Sequence, residues 1–334
     1  MSMINPILII GSNSFAGSNF CDYLLGKKLN VIGVSRSKEI NQIFLKYKNN
    51  KNYKKNFLFY KIDINKDKDI SKLIKIIKKK KIKYIINFAS QGMGAESWLK
   101  PWDWYNTNVV SFSKLISKLN ELKITKFLNF STPEVYGSTE KEIKENNFFN
   151  PTTPYAISRS AQDLNLHAYC KNFKFPAVFT RTANIFGPHQ QLYRIVPISI
   201  IKAIKNEKIN LHGSGKSIRS FIFMNDVSTI LYKILKDKKN IGQTYHISTK
   251  KFVSIKKLVT LILKILKRKT TLIKNTKERD GKDFGYFLNT SKIIKEYKWR
   301  DKTSLEQGLK ETIYWIKNNL HIINNLNLNY KHKK

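Results

Sequence analysis

The sequence has few acidic residues and almost no cysteine. Only 23 Asp and Glu stand against 62 Lys and Arg, which leaves a formal net charge of +39. Cys21 and Cys170 are too few for a disulfide framework, so we expect buried free thiols in a reducing, cytoplasmic setting. The six histidines are scattered, and no His or Cys cluster has the spacing of metal ligands, so we expect no metal centre.

Long apolar runs are also missing. None approaches the roughly 18 residues that a membrane-spanning helix needs, so we expect no membrane segment. The first predicted strand begins within six residues of the first residue, so we expect no signal peptide. With 41% apolar residues in 334, the chain can bury a substantial core, and its length suits one large α/β domain with a smaller lobe.

The basic excess is also typical of proteins that bind nucleic acid, because clustered cations bind phosphate backbones. Eight of the 62 basic residues are arginine and the rest are lysine, spread through the chain with abundant Asn and Ile. Residues 78–81 are all lysine, but no aromatic residues alternate with them as stacking platforms. We interpret the excess as a compositional bias on exposed helix faces and expect no nucleic-acid partner. Nucleic-acid binding stays as the alternative from another functional class.

A glycine-rich turn follows the first apolar run. Residues 6–10 read as a strand, and residues 11–17 end it and open a helix. Gly11 permits the tight turn, Ser14 is small enough for a pyrophosphate to approach the backbone, and Gly17 lets the helix pack on the strand. The pattern predicts a dinucleotide site, although Ser14 stands where a glycine is usual. An ordinary strand–helix turn is the alternative.

The second predicted strand, residues 31–34, is followed by Ser35, Arg36 and Ser37. An NAD-preferring site places an acid here to hold the ribose 2′-hydroxyl, and this sequence has none. The Arg36 guanidinium, flanked by the two serines, can instead bind a 2′-phosphate through a bidentate fork. We therefore expect NADP, with NAD as the alternative.

Two segments in the middle of the chain bring together a hydroxyl, a carboxylate, a phenol and a cation. Thr132 and Glu134 follow the predicted strand 127–131, at the carboxyl end where open α/β sheets place ligands. Tyr155 and Arg159 are four residues apart on the next predicted helix, so they share a face. Arg159 and a nicotinamide ring would favour the phenolate of Tyr155, which can then accept a proton from a sugar hydroxyl. Glu134 is a second acid/base group, which suggests removal of a proton next to a new carbonyl.

Together these segments resemble the extended short-chain dehydrogenase/reductases, and among them the nucleotide-diphosphate-sugar 4,6-dehydratases. The similarity covers nearly the whole chain. The family motif Ser-Thr-Asp-Glu-Val-Tyr-Gly matches residues 131–137 except at Pro133, and Pro-Tyr-x-x-x-Lys matches residues 154–159 except at Arg159. The resemblance implies an α/β fold with a Rossmann-type doubly wound parallel sheet. Residues 1–185 would carry the NADP site and the catalytic residues, and residues 186–330 would form a smaller C-terminal α/β lobe that mainly binds substrate and partly interleaves with the first domain.

The resemblance also assigns residues to roles. The implied cofactor-binding residues are Gly11, Ser14, Phe15, Ala16, Gly17, Ser35, Arg36, Asp63, Ile64, Phe88, Ala89, Ser90, Tyr155 and Arg159. The implied catalytic residues are Thr132, Glu134, Tyr155 and Arg159, and the implied substrate-binding residues are Gln91, Glu96, Asn184, Arg194, Arg219 and Arg279. Arg219 and Arg279 would grip the diphosphate of the sugar nucleotide.

The implied reaction is an internal redox cycle that yields a 4-keto-6-deoxy sugar nucleotide without net use of cofactor. Tyr155 and Thr132 would assist oxidation at C4, and Glu134 would remove the C5 proton before water leaves C6. Pro133 cannot protonate the departing hydroxyl as the family's Asp does, and Arg159 keeps the charge of the family's Lys but not its shape. A 4-epimerase and a uronic-acid decarboxylase of the same family are the alternatives.

The resemblance implies a homodimer, because relatives commonly pair through two helices. Here these helices are expected around residues 111–122 and 155–173. The last residues, 329–334, are expected to be frayed, as chain termini commonly are.

Overall fold

The computed structural model describes residues 6–278, 281 and 283–332. Within them the strands are β1 (Ile7–Ile10), β2 (Val31–Ser35), β3 (Phe57–Lys61), β4 (Tyr84–Asn87), β5 (Lys126–Ser131), β6 (Ala177–Thr182), β7 (Asn184–Phe186), β8 (Ile209–His212), β9 (Ile218–Phe223), β10 (Thr244–Ile247), β11 (Phe252–Ser254) and β12 (Ile273–Thr276). The helices are α1 (Phe15–Gly26), α2 (Tyr53–Asn56), α3 (Asp67–Lys79), α4 (Pro101–Tyr105), α5 (Phe112–Asn120), α6 (Pro154–Phe173), α7 (Ile195–Ile204), α8 (Met224–Lys236), α9 (Ile255–Ile265), α10 (Ser291–Tyr297), α11 (Leu305–Asn318) and α12 (Leu320–Ile323).

A seven-stranded sheet organises the first part of the chain. Its order is β10-β6-β5-β4-β1-β2-β3, and each neighbouring pair is parallel. The chain moves outward from β1 to β3, returns to the other side at β4, and moves outward again through β5 and β6. The order therefore reverses between β1 and β4, and ligands of open parallel sheets bind beside such a reversal. This confirms the predicted Rossmann-type doubly wound sheet.

Helices cover both faces of this sheet. All four residues of β1 are buried, as is typical of a parallel strand with helices on either side. Ile7 and Ile9 pack with apolar residues of α1 and α8, whereas Leu8 and Ile10 pack with those of α3, α5 and α6. The alternation of side chains along the strand thus divides the core into two layers.

A smaller lobe holds the remaining strands. β11, β9 and β7 form a three-stranded sheet, β12 pairs with β8, and helices α7, α9 and α11 pack around Phe186, Ile200 and Leu309. Two elements beyond residue 185 return to the first domain, because β10 pairs with β6 and α8 packs against α1. The division of the chain at residue 185 stays a prediction.

The two cysteines differ in their surroundings. Cys21 is fully buried on α1, and Cys170 is half-buried on α6. Burial raises the pKa of both thiols, so neither is readily ionised. The expectation of a buried thiol therefore holds for Cys21 and is wrong for Cys170, which lies near the exposed end of its helix.

The C-terminal segment after α12 is ordered by contacts. The Nε2 atom of Gln91 donates a hydrogen bond to the Tyr330 hydroxyl at 2.9 Å, and the His332 ring stacks on Trp104 at 4.9 Å between centroids. The expectation of fraying is wrong for residues 329–332, because partners distant in sequence hold them. Residues 333 and 334 lie outside the described residues. No helix in the described part of the chain is long and apolar enough to span a membrane.

Candidate active site

One large cleft, with a volume of about 1370 Å³, lies at the carboxyl ends of the strands. Its walls come from the turn after β1, the ends of β2, β4 and β5, the start of α6, and the smaller lobe. The structure brings nearly all candidate cofactor, catalytic and substrate residues to this cleft. Gly17 is the exception among the described candidates, since it packs behind the turn. Arg279 lies outside the described residues.

The glycine turn after β1 is shaped for close approach of backbone. Gly11 has φ +86°, and a Cβ there would lie 2.7 Å from the backbone nitrogen of Ala89. A Cβ on Gly17 would lie 2.2 Å from the carbonyl oxygen of Gly11, so neither position tolerates a side chain. Ser14 caps α1, because its Oγ accepts a hydrogen bond from the Gly17 N–H at 3.0 Å. The described first turn of α1 carries no acidic residue, so its positive end suits a pyrophosphate.

At the end of β2, the Ser35 Oγ accepts a hydrogen bond from the Asn13 N–H at 3.0 Å. The Arg36 guanidinium reaches across the cleft wall, and its Nη2 donates to the Oε1 of Gln91 at 3.0 Å. Burial lowers the pKa of Arg36, although nearby Asp63 acts in the opposite direction. A cation therefore stands where an NAD-preferring site has an acid.

Thr132, Glu134 and Tyr155 meet at the carboxyl end of β5. Thr132 precedes a short 3-10 turn, Pro133–Tyr136, and its Oγ1 accepts a hydrogen bond from the Glu134 N–H at 3.3 Å. The Thr132 hydroxyl also interacts with the phenol of Tyr155, the second residue of α6. Strand β5 ends and helix α6 begins at the same edge of the sheet, and therefore these side chains lie close together.

Burial raises the pKa of Glu134, and the charge of Asp283 raises it further, while Arg219, Arg194 and Arg159 lower it. A carboxyl group with a raised pKa exchanges its proton nearer neutral pH, which suits acid/base catalysis.

Burial also raises the pKa of Tyr155. Arg159 and the hydrogen bond with Thr132 act in the opposite direction but do not outweigh burial. Arg159 therefore acts on the Tyr155 pKa in the predicted direction, and burial outweighs it in this structure.

Arg159 is only 2% exposed, and its Nη2 donates to the carbonyl oxygen of Phe130 at 2.6 Å. Its Nε is buried and has no hydrogen-bond partner among the residues that the structure describes. Buried donors are normally paired, so this N–H is available to a ribose hydroxyl of a bound dinucleotide. The Gly11 turn, the Ser14 cap and this N–H together form a site that fits a nicotinamide dinucleotide.

The sequence reasoning missed two features of the site. The first is a buried network of polar side chains next to β5. Asp163 accepts hydrogen bonds from the Ser131 Oγ at 2.9 Å and the Asn129 Nδ2 at 3.0 Å. It also pairs with the Arg181 Nε at 3.4 Å, and neither side chain of this ion pair is exposed. The network joins β5, β6 and α6. The signal that could have revealed it is an arginine near the end of β6, which begins with the apolar residues Ala177, Val178 and Phe179.

The second feature is an acid–phenol pair. The Tyr286 hydroxyl donates to the Oδ2 of Asp283 at 2.6 Å, and the Thr152 hydroxyl donates to its Oδ1 at 2.9 Å. Both Asp283 and Tyr286 line the cleft, and the charge of Glu134 contributes to the raised pKa of Tyr286. The three-residue spacing of this pair was visible in the sequence, but its proximity to Glu134 was not.

Arginines of the smaller lobe face the same region. The Arg219 guanidinium stacks on Tyr286 at 4.3 Å and donates to the carbonyl oxygens of Ile218, Asp283 and Phe284 at 2.7, 2.9 and 3.0 Å. Arg219 therefore also holds the loop around Asp283. Arg194 lies with its guanidinium 5.4 Å from the Tyr193 ring, and Asn184 and Glu96 lie on the cleft wall.

Metal ligands do not gather in the described part of the chain, where no group of three or more His, Cys, Asp or Glu side chains could hold an ion. The site is thus built from the groups named above.

Comparisons with known proteins extend over the whole site. Residues 8–312 match the model of the family described as GDP-mannose 4,6 dehydratase. A dTDP-D-glucose 4,6-dehydratase from Homo sapiens is 30% identical over 322 residues, which cover 94% of this chain and 91% of that protein. The structure of a dTDP-glucose 4,6-dehydratase from Bacillus anthracis in complex with NAD is similar with a TM-score of 0.84 and 27% identity, covering 95% of this chain and 98% of that one. The structure of a UDP-glucuronic acid 4-epimerase from Bacillus cereus, in complex with UDP-glucuronic acid and NAD, is similar with a TM-score of 0.84 and 25% identity. The match covers 94% of this chain and 99% of that one.

Proposed function

Because this chain belongs to the GDP-mannose 4,6 dehydratase family, we propose that it removes water from a nucleotide-diphosphate sugar to form the 4-keto-6-deoxy product. It is an extended short-chain dehydrogenase/reductase, and as a dehydratase it is a lyase. The observation that carries the proposal is that Glu134 stands beside the Thr132 and Tyr155 pair in the dinucleotide cleft. Alcohol oxidation alone needs only the tyrosine and the threonine, whereas elimination also needs a base for C5.

The cofactor is a nicotinamide dinucleotide, which supplies the acceptance of hydride at C4 and its return at C6. The chain's own residues would hold it through the Gly11 turn, the N-terminus of α1 and the Nε of Arg159. We propose NADP as the preferred form, because Arg36 offers a guanidinium at the end of β2 where a 2′-phosphate would lie. The solved relatives from the two Bacillus species contain NAD, so NAD is the alternative.

Tyr155 accepts the proton of the C4 hydroxyl, while Thr132 holds the same oxygen by a hydrogen bond. Burial raises the pKa of Tyr155, and the charge of Arg159 acts against this by favouring the phenolate that accepts the proton. Once C4 is a carbonyl, the C5 proton becomes acidic and Glu134 removes it.

Pro133 stands where the family's acid is expected, so another group must protonate the departing C6 oxygen. Glu134 can carry the proton from C5 to that oxygen. Its raised pKa supports this dual role, because it makes the protonated carboxyl group more accessible than that of an ordinary glutamate. When hydride returns to C6, C5 must take up a proton, which the Glu134 carboxyl group can deliver after exchange with solvent. Tyr155 releases to solvent the proton that it accepted from the C4 hydroxyl, so the cycle leaves the protein with no net gain or loss of protons.

A 4-epimerase is the second candidate function. It is favoured by one observation, the similarity to the epimerase from Bacillus cereus, which is as close in TM-score as the dehydratase from Bacillus anthracis. Epimerisation needs oxidation and return at C4 without a base for C5, so it leaves Glu134 without a role.

The substrate is held by its diphosphate, for which Arg194, Arg219 and Arg279 are the proposed partners. We also propose a homodimer. Ile157 and Leu164 are 42% and 48% exposed and lie on the second of the helices expected to pair, while Val110, 48% exposed, immediately precedes the first. Large apolar side chains left exposed on adjacent helices support such an interface. The cytoplasmic location stays a prediction.

The proposal is tested by incubating the purified protein with UDP-, dTDP-, GDP- and CDP-hexoses and NADP, followed by mass spectrometry. A product lighter by one water supports the dehydratase. A product of unchanged mass with C4 inverted would support the epimerase instead.

A further inference from the structure

The C-terminal segment, residues 327–332, lies across the mouth of the dinucleotide cleft. Residues 327–331 line the same cleft as Gly11, Arg36 and Tyr155. The segment starts from the smaller lobe, where Leu326 and Leu328 pack against the lobe's core. It ends on the first domain, where His332 stacks on Trp104 of α4 with an interplanar angle of 12°.

The segment is held by specific polar contacts. The two N–H groups of the Gln91 amide go to the Tyr330 hydroxyl at 2.9 Å and to the His332 Nδ1 at 3.1 Å. The other ring nitrogen of His332 contacts the Oδ2 of Asp103 at 2.6 Å. This pattern is consistent, because a His332 ring protonated at Nε2 donates to Asp103 and accepts from Gln91.

Gln91 links the segment to the cofactor side of the cleft. Its side chain is buried, with a residue exposure of 3%, and its Oε1 accepts the hydrogen bond from Arg36. Because both amide N–H groups are used by the C-terminal segment, the amide is turned with its oxygen toward Arg36. Without the segment, two buried donors would lose their partners.

The contacts on the other side of the segment belong to the smaller lobe. The Tyr330 ring lies edge-on to Tyr193 at 5.3 Å between centroids. Tyr330 is thus held between Gln91 of the first domain and Tyr193 of the lobe. The segment thus bridges the two walls of the cleft.

We propose that residues 327–332 form a strap that closes the dinucleotide cleft, with Tyr330 and His332 as its anchoring residues. The strap must leave Gln91 and Trp104 before the dinucleotide enters or departs. An enzyme that returns its hydride within each cycle gains from slow cofactor release, because the same dinucleotide serves every turnover. The inference rests on the proposed function in one respect, namely that the cleft binds a nicotinamide dinucleotide.

The strap is tested by the rate at which bound NADPH leaves the protein. Two variants are compared with the full chain: a chain ending at Leu328, which keeps the packed leucines, and the double variant Tyr330→Ala/His332→Ala. The matched control is Tyr314→Ala/His321→Ala, since both residues are exposed on α11 and α12. Release is followed in a stopped-flow instrument by the loss of energy transfer from tryptophan after a chase with excess NADP.

We expect NADPH dissociation to be about tenfold faster or more in both strap variants, with association also faster, because a closing segment slows both directions. The control should match the full chain. Equal dissociation rates in all four proteins would overturn the proposal. Strap variants that bind NADPH more tightly with an unchanged dissociation rate would also overturn it, because the segment would then occupy the place of the dinucleotide itself. If the full chain binds neither NADPH nor NADH, the cofactor assignment itself fails, and that result is distinct from equal rates.

Discussion

At the scale of single residues, Glu134 is the group that separates elimination from simple oxidation. Burial raises its pKa while three arginines and Asp283 act on it from around the cleft. We expect Glu134→Gln to abolish dehydration while nucleotide-sugar affinity stays within a few-fold, because the amide keeps the shape and loses the base. Solvent deuterium incorporation at C5, measured by mass spectrometry, should disappear with it.

The matched control for this variant is Glu140→Gln, which changes an exposed carboxylate on the loop that follows the same motif. It should leave both the elimination and the exchange at C5 unchanged. Exchange at C5 that continues at the full rate in Glu134→Gln would refute the assignment of the base.

The raised pKa of Glu134 predicts the pH dependence of the reaction. Glu134 must be ionised to accept the C5 proton, so kcat/KM should rise with pH through a value above the ordinary glutamate pKa of about 4.3. Because the Asp283 charge helps to raise that pKa, Asp283→Asn should move the acid limb of the profile to lower pH. A limb that moves upward, or stays in place, would show that another group sets it.

Arg36 is the residue on which the choice of cofactor depends. Arg36→Ala should weaken NADP binding by at least about 1 kcal/mol, the lower range for a charge-assisted hydrogen bond, and change NAD binding little. Isothermal titration with both dinucleotides measures this. Equal losses for the two, or NAD retained by the purified protein, would count against NADP preference.

The catalytic residues also show which properties of the site could be predicted from the sequence and which could not. The four-residue spacing of Tyr155 and Arg159 correctly placed both on one helix next to Thr132. The net pKa of Tyr155 was not predictable, because burial depends on the assembled cleft and the sequence shows only the neighbouring charge. Asp283 and Tyr286 were missed for the same reason, since a loop far along the chain brings them to Glu134.

At the scale of elements, the buried pair of Asp163 and Arg181 joins α6 to β6 and supports the end of β5. Asp163→Asn should lower the free energy of unfolding by about 3–5 kcal/mol, because it leaves the arginine as an uncompensated buried charge. Urea denaturation followed by circular dichroism measures the change. Asp67→Asn, on the exposed start of α3, is the control and should cost no more than about 1 kcal/mol. Similar losses for both would mean that the buried network does not stabilise the fold.

Elements with a strong local pattern were predictable from the sequence. Strands β1, β2 and β5 are largely apolar runs that end in turn residues. Helix α9 follows the capping residue Ser254 and has its apolar residues on one face. The π-helical segment Asn106–Ser111 and the ordered C-terminal segment were not predictable. Both depend on partners distant in the chain: the Asn108 side chain bonds Gln91, and so does Tyr330.

At the scale of the whole molecule, the reversal of strand order between β1 and β4 places the dinucleotide turn and the catalytic segments at one edge. This arrangement was predicted from the resemblance to the extended short-chain dehydrogenase/reductases and from the position of Thr132 and Glu134 after an apolar strand. The sequence did not locate the return of α8 and β10 to the large sheet, since that pairing is set by packing against α1 and β6. A net charge of +39 would draw an anionic sugar nucleotide toward the cleft, but it does not indicate which sugar nucleotide binds.

The most direct test of the internal redox cycle uses a nucleotide-diphosphate hexose with deuterium at C4, taken from the sugar nucleotides that the protein accepts. The product is analysed by mass spectrometry and by NMR. The account predicts loss of one water and deuterium in the new C6 methyl group, because hydride taken from C4 returns to C6. A sugar of unchanged mass that carries the deuterium at an inverted C4 would contradict it.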